Sequence, residues 1–129
     1  MHVHLDRDDY IVMLQGRMML GLKDLRGRSP SFWRTTLVQL DTETPQAAII
    51  PVGVLHGFYF PEGSVHVYGL SEYWSPDTDI GCRWDDPDLG LPWPCDEPMV
   101  IERDLQLGSL RALLECESGF ATMEAQACL

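Results

Sequence analysis

Cations are scarce in this chain, with nine Lys and Arg against 20 Asp and Glu and a net charge of −11. The shortage argues against nucleic acid as a partner, because gripping a phosphate backbone needs a basic face. Long apolar runs are missing as well. No stretch approaches the ~20 residues of a membrane-spanning helix, and Met1 leads into polar residues rather than a charged segment followed by an apolar one. No membrane or secretory segment is therefore expected, and the reading is a soluble, cytoplasmic protein. Cysteine is sparse: Cys82, Cys95, Cys116 and Cys128 form no CxxC pair, and a chain that is 45% hydrophobic does not need disulfides to hold a core. Reduced thiols are expected. With 129 residues there is room for one domain with a real core but not for two.

No segment before residue 98 carries a sustained helical period, whereas short apolar or alternating runs recur at even spacing. Tyr10 to Gly16, Arg17 to Leu25, Arg34 to Leu40, Ala47 to Phe60 and Ser64 to Trp74 are each bounded by Gly, Pro, Asp or Ser. Such a series predicts an all-β sandwich or barrel. From Ile80 to Pro98 the mixture of Pro, Gly, Asp and Trp suits an ordered loop, since its large apolar groups need burial. One helix is expected around Ser109 to Cys116, with Ser109 as N-cap. The domain is placed at 1–115 and residues 116–129 are read as a loosely held tail. Lys23 to Arg28 reads as a solvated turn.

The opening "MHVH" sets two histidines one residue apart. On a strand, His2 and His4 would share a face with Cα atoms about 6.6 Å apart, a chelating arrangement. Four residues separate His4 from Asp9 and six more separate Asp9 from Gly16, and "PVGVLH" later delivers His56 after a Pro-x-Gly turn. Asp9 on its own belongs to an acidic run, with Asp6 and Asp8, that would ordinarily be solvated. His66 is read as non-functional. The pattern H-x-H-x4-D-x6-G followed by P-x-G-x-x-H resembles the two signature motifs of the cupin superfamily, with Asp9 where a glutamate is usual. The resemblance implies a jelly roll, and in metal-binding members the matching ligands would be His2, His4, Asp9 and His56 around a divalent ion.

A closer likeness covers most of the chain. "RGRSPSFW", "IPVGVLHGFYF", "VYGLSEYWSPDTDIGCRWDDPDLGLPWP" and "VIERDLQLGSL", in that order, resemble the core of the dTDP-4-dehydrorhamnose 3,5-epimerase family. That family implies proton abstraction beside the C4 ketone of a nucleotide-linked sugar. By this resemblance His2 is the base, Asp104 the carboxylate that fixes its tautomer, and Tyr68 the acid on the far face of the sugar. Trp74 would wall the sugar or base, His56 would line the same cavity, and Arg103 would lie near the diphosphate. No cofactor is implied, the ligand would be a dTDP-linked keto sugar, and a homodimer is expected.

Several positions depart from the pattern. The lysine that would stabilise enolate charge falls on Asp9, a glutamine falls on His4, and Ile101 replaces a serine. The arginine expected before the base would precede Met1, as would strands that relatives exchange across their dimer, so either a shortened member or a chain starting downstream is expected. Three readings stand: a metal-free nucleotide-sugar epimerase; a metal-dependent cupin isomerase or oxygenase; and a catalytically silent sugar-nucleotide-binding protein.

Overall fold

The computed structural model of the chain describes residues 1–124. Eight strands, β1 (His2–Val3), β2 (Asp9–Gln15), β3 (Arg17–Asp24), β4 (Thr35–Asp41), β5 (Ala47–Ile50), β6 (Val54–Tyr59), β7 (Val65–Leu70) and β8 (Ile80–Gly81), form two antiparallel sheets. One sheet runs β4-β3-β6-β1-β8 and the other β5-β2-β7. This is the all-β sandwich expected from the strand spacing, in the jelly-roll form that the family resemblance implies.

Period-two alternation decides which face of each strand enters the core. In β2, Asp9, Ile11 and Met13 are buried while Tyr10, Val12 and Leu14 face outward. Ile11 and Met13 pack against Met18, Leu20, Leu40, Ile50 and Val54. A second cluster, around Val3, Leu55, Cys82, Leu89 and Leu110, closes the other end of the sandwich. Each fully buried aliphatic side chain in these clusters contributes roughly 1.5–3 kcal/mol.

The expected run Ala47 to Phe60 is two strands. Pro51–Val52–Gly53 turns between β5 and β6, with Gly53 at φ 80, a left-handed conformation that glycine adopts without a Cβ penalty. The turn is tied to the first histidine pair, since Gly53 N–H donates to the His4 carbonyl at 2.9 Å. The predicted ordered loop holds β8 and a 3-10 turn at Pro87–Leu89. A helical turn, α1 (Glu102–Leu105), precedes the expected helix, α2 (Leu110–Cys116). Ser109 caps α2, its Oγ accepting from Ala112 N–H at 3.1 Å, which stabilises the helix by about 1 kcal/mol.

Two expectations are corrected. Lys23 to Arg28 is not a solvated turn: Lys23, Asp24 and Arg26 are buried. The Asp24 carboxylate gathers both Arg26 Nε and Nη2 and the hydroxyls of Ser29 and Ser31 at 2.6 to 2.9 Å, so these charges satisfy one another away from water. The expected loose tail is also held, because Phe120 is buried against the second cluster and its carbonyl accepts from Gly27 N–H at 2.7 Å. The rest of that tail, 125–129, lies outside the described residues, as does Cys128; Cys82, Cys95 and Cys116 are free thiols. Among the described residues no helix is long and apolar enough to cross a membrane.

Candidate active site

β1 is only two residues long, but it lies between β6 and β8, and its register places His2 opposite both His56 and Gly81. Side chains opposite one another on neighbouring strands share a face, so His2 and His56 point to the same side of the sheet. They line a cavity of about 580 Å³ together with His4, Tyr68, Trp74, Asp79 and Asp104.

His2 is bracketed by carboxylates. Its Nε2 lies 3.0 Å from Asp104 Oδ1, and its Nδ1 lies 3.3 Å from Asp79 Oδ1. Arg103 Nη2 stands 3.1 Å from the same Nδ1 and 2.6 Å from Asp79 Oδ2. A guanidinium only donates, so Nδ1 holds a lone pair and Nε2–H donates to Asp104. Burial lowers the His2 pKa from its ordinary value, against the opposing pull of Asp104 and Asp79. α1 carries both Arg103 and Asp104 on one short turn, which is why adjacent residues reach the two nitrogens of one ring.

Across the cavity, the second sheet supplies Tyr68. Its partner on β2 is Ile11, which faces the core, and Asp9 sits on that same face one pleat away. Tyr68 O–H donates to Asp9 Oδ2 at 2.7 Å. Burial, then the hydrogen bond to Asp9, push the phenol well above its ordinary pKa. The same Asp9 oxygen lies 3.2 Å from His4 Nε2 and 2.9 Å from His56 Nε2. Burial opposes charge on Asp9, yet the bonds from His4, His56 and Tyr68 outweigh it and hold the carboxyl well below the ordinary range.

The residues read from the sequence are therefore sorted into two groups. His2, Asp104 and Arg103 form one, and Tyr68, Asp9, His4 and His56 the other. His2 and His4 both approach Asp79 Oδ1, at 3.3 and 3.7 Å, so the shared face holds. The four-ligand set is not assembled as expected, because His2 is engaged by Asp104. The residues whose ligand atoms converge are His4, Asp9 and His56, all buried and within 4.8 Å of one another, and these three could hold a metal. The reading of Asp9 as part of a solvated acidic run is corrected, since it is fully buried. Trp74 lines the cavity and donates its Nε1–H to Asp79 Oδ2 at 3.0 Å. His66 stacks on Phe60 and does not line the cavity.

Sequence reasoning missed Asp79 and Arg7. Asp79 directly precedes β8, the strand paired with β1, and its placement beside His2 follows from that pairing alone. Hydrogen bonds from Trp74 and Arg103 hold its carboxyl below the ordinary range despite burial. Arg7 lines the cavity fully buried, held by Thr78 Oγ1 at 2.9 Å and Asp6 at 3.0 Å. Nothing in the local pattern around Arg7 marks it as buried.

The chain has counterparts among known proteins. A dTDP-4-dehydrorhamnose 3,5-epimerase from Methanothermobacter thermautotrophicus is 32% identical over 103 residues, covering 77% of this chain and 56% of the relative. One from Pseudomonas aeruginosa is 34% identical over 85 residues, covering 64% of this chain and 47% of the relative. The chain thus spans about half the length of the curated relatives it matches. Among solved structures, the dTDP-4-dehydrorhamnose 3,5-epimerase of Bacillus anthracis with TDP and pyrophosphate bound superposes with a TM-score of 0.76 at 31% identity, over 84% of this chain and 65% of that one. A 3'-monoepimerase from Streptomyces bikiniensis in complex with dTDP-quinovose gives a TM-score of 0.78 at 27% identity, over 96% of this chain and 63% of that one. The model of the dTDP-4-dehydrorhamnose 3,5-epimerase family matches residues 1–112, and the chain belongs to that family.

Proposed function

We propose that the protein epimerises a dTDP-linked 4-keto-6-deoxy sugar by moving protons beside the C4 ketone. The observation that carries this reading is the His2–Asp104 pair, at 3.0 Å, lining one cavity with Tyr68 from the opposite sheet. The ketone acidifies the neighbouring C–H; His2 Nδ1 takes that proton, the electron pair moves into the enolate, and Tyr68 returns a proton to the opposite face of the same carbon. Asp104 accepts from Nε2–H, which fixes the tautomer and raises the basicity of Nδ1. Arg103, half-exposed at the rim, covers Nδ1 without substrate, and its charge suits the diphosphate, whose binding would draw it off the base. Trp74 and His56 line the sugar's side of the cavity. The relatives' names and ligands support the nucleotide-sugar class.

The free Cys82, Cys95 and Cys116 suit a reducing, cytoplasmic compartment, and the apolar outer face of the β5-β2-β7 sheet suits a homodimer. The test is exchange of the sugar's C3 and C5 protons in D2O with dTDP-4-dehydro-6-deoxyglucose. Exchange by the wild-type chain and none by His2→Asn is the expected result. Tyr68→Phe should bind the nucleotide sugar but give no inverted product. Exchange retained in His2→Asn would end the base assignment, and binding without exchange in the wild type would leave a silent binding protein.

A further inference from the structure

Removing a proton beside the ketone puts negative charge on the C4 oxygen, and in a water-poor cavity that charge needs donors already in place. Arg7 is the only lysine or arginine in the cavity wall. Its side chain is shut off from bulk water, at 1% exposure. Burying a guanidinium is costly unless its N–H groups are bonded, and only one of the three nitrogens is. Nη1 donates to Asp6 Oδ1 at 3.0 Å and to Thr78 Oγ1 at 2.9 Å, whereas Nε and Nη2 have no hydrogen-bond partner among the described residues.

Those two nitrogens form one edge of the guanidinium, a fork of parallel N–H groups that suits an anionic oxygen. In Arg26 and Arg83 the same edge grips a carboxylate, that of Asp24 and of Asp85, at 2.6 to 2.9 Å. In Arg7 the fork grips nothing: Asp79 Oδ1 stops 3.9 Å from Nη2, beyond hydrogen-bond reach. The fork is nonetheless held in place, since Thr78 Oγ1, which accepts from Nη1, donates in turn to the Ser75 carbonyl at 3.3 Å. Its position suits the reaction too. The same Asp79 Oδ1 lies 3.3 Å from His2 Nδ1, so a carbon touching the base and an oxygen two bonds away touching Nη2 fit within the span. Arg103, the other cation near the base, is tied to Asp79 Oδ2 and does not line the cavity.

We propose that Arg7 is a further catalytic residue, whose Nε–H and Nη2–H receive the C4 oxygen of the nucleotide sugar and hold the charge of the enolate. The inference rests on the epimerase reading of the site. As His2 Nδ1 takes the proton, the C–H electron pair becomes the C=C bond and the carbonyl π pair moves onto the C4 oxygen; when Tyr68 returns a proton, the pairs move back and Arg7 is unchanged. Donors left unbonded until charge develops favour the transition state over the bound ketone, which raises kcat rather than lowering KM. Such contacts tighten only once substrate is in place.

Steady-state kinetics on dTDP-4-dehydro-6-deoxyglucose is the first test. Arg7→Gln should lose roughly 100-fold or more in kcat with KM nearly unchanged, and Arg7→Lys, which keeps the charge, should recover part of the loss. The second test keeps Arg7 and so does not depend on how those variants fold. In 15N-arginine-labelled His2→Asn, the Arg7 Nε–H signal should move downfield on binding the keto sugar and not on binding dTDP, which lacks the ketone. An unchanged kcat in folded Arg7→Gln, a rise in KM at constant kcat, or an Nε–H signal that responds equally to both ligands would each overturn the role of Arg7 while wild-type exchange leaves the epimerase reading standing. A wild type that exchanges no sugar proton would overturn that reading and the role of Arg7 with it.

Discussion

Asp104 touches His2 through a single hydrogen bond, and that bond separates shape from charge. In Asp104→Asn the amide oxygen still accepts from Nε2–H, so the ring keeps its place, but the negative charge that favours protonation of Nδ1 is gone. The expected outcome is a fall in kcat of roughly 100-fold, within the range that positioned acid–base groups supply, with KM nearly unchanged. Steady-state kinetics on the keto sugar checks it; a rise in KM at constant kcat would recast Asp104 as a binding residue. Asp24 offers a prediction of another kind. It is buried with Arg26, and loss of one partner of a buried pair costs about 3 kcal/mol, so Asp24→Asn should lower the urea midpoint at pH 7. Burial works against the Asp24 charge, but the bonds from Arg26, Ser29 and Ser31 hold its carboxyl well below the ordinary range. The folded chain therefore binds this proton less readily than the unfolded one. Its contribution is complete above the unfolded pKa of about 3.9, starts to shrink below that, and is lost as the pH falls through the folded carboxyl's lower value. Wild type and Asp24→Asn should accordingly differ most above about pH 4, with the difference narrowing as the pH falls below about 3.9 and vanishing only once it passes the folded carboxyl's own depressed range. Both Asp9 and Asp24 stand among charged neighbours in the sequence, where a local reading expects solvent. What the local reading lacks is the partner: Tyr68 and His56 for Asp9, and the Arg26 fork for Asp24.

At the scale of elements, the position of His2 depends on how closely β1 approaches β8. A Cβ built on Gly81 would collide with the Met1 carbonyl oxygen and lie 3.2 Å from His2 Cα, so Gly81→Ala must push the two strands apart. Such overpacking costs typically 1–3 kcal/mol and moves His2 off its carboxylates. A lower melting temperature together with slower proton exchange is expected. Gly63→Ala, where a Cβ meets nothing within 4 Å, should change neither. Exchange at the wild-type rate in Gly81→Ala would show that β1 tolerates the shift. The long strands were legible because seven or eight residues of alternation are enough to see a period of two, as in β2. β1, β8 and α1, at two, two and four residues, are too short to carry a period, and they are the elements that hold His2, flank Asp79 and hold Asp104. The catalytic assignments came from residue order along a family likeness, which is why Asp79, inside a matched stretch but given no role by the likeness, went unread.

For the whole molecule, the outward positions of the β5-β2-β7 sheet stand out. Tyr10, Val12, Leu14, Ile49, Val65 and Val67 are all more than a third exposed, and the register sets Tyr10 beside Ile49 and Val12 beside Val67. Single exposed apolar side chains are ordinary, but a contiguous apolar sheet face marks an interaction surface. Most of the acidic charge faces solvent elsewhere, so two copies meeting through this face bury apolar surface while their net charges of −11 repel at longer range. The balance has a sign. Salt screens the repulsion over a Debye length of about 10 Å at 0.1 M and leaves the apolar contact intact, so dimerisation should strengthen from 20 mM to 300 mM salt, the reverse of a dimer held by ion pairs. Sedimentation velocity should give about twice the chain mass of 14.6 kDa for the wild type. Val12→Asp combined with Val67→Asp places two like charges side by side on that face and should return the single-chain mass with the circular dichroism spectrum unchanged. A wild type that sediments as one chain at every salt concentration, or a double variant that still pairs, would remove this face as the dimer interface.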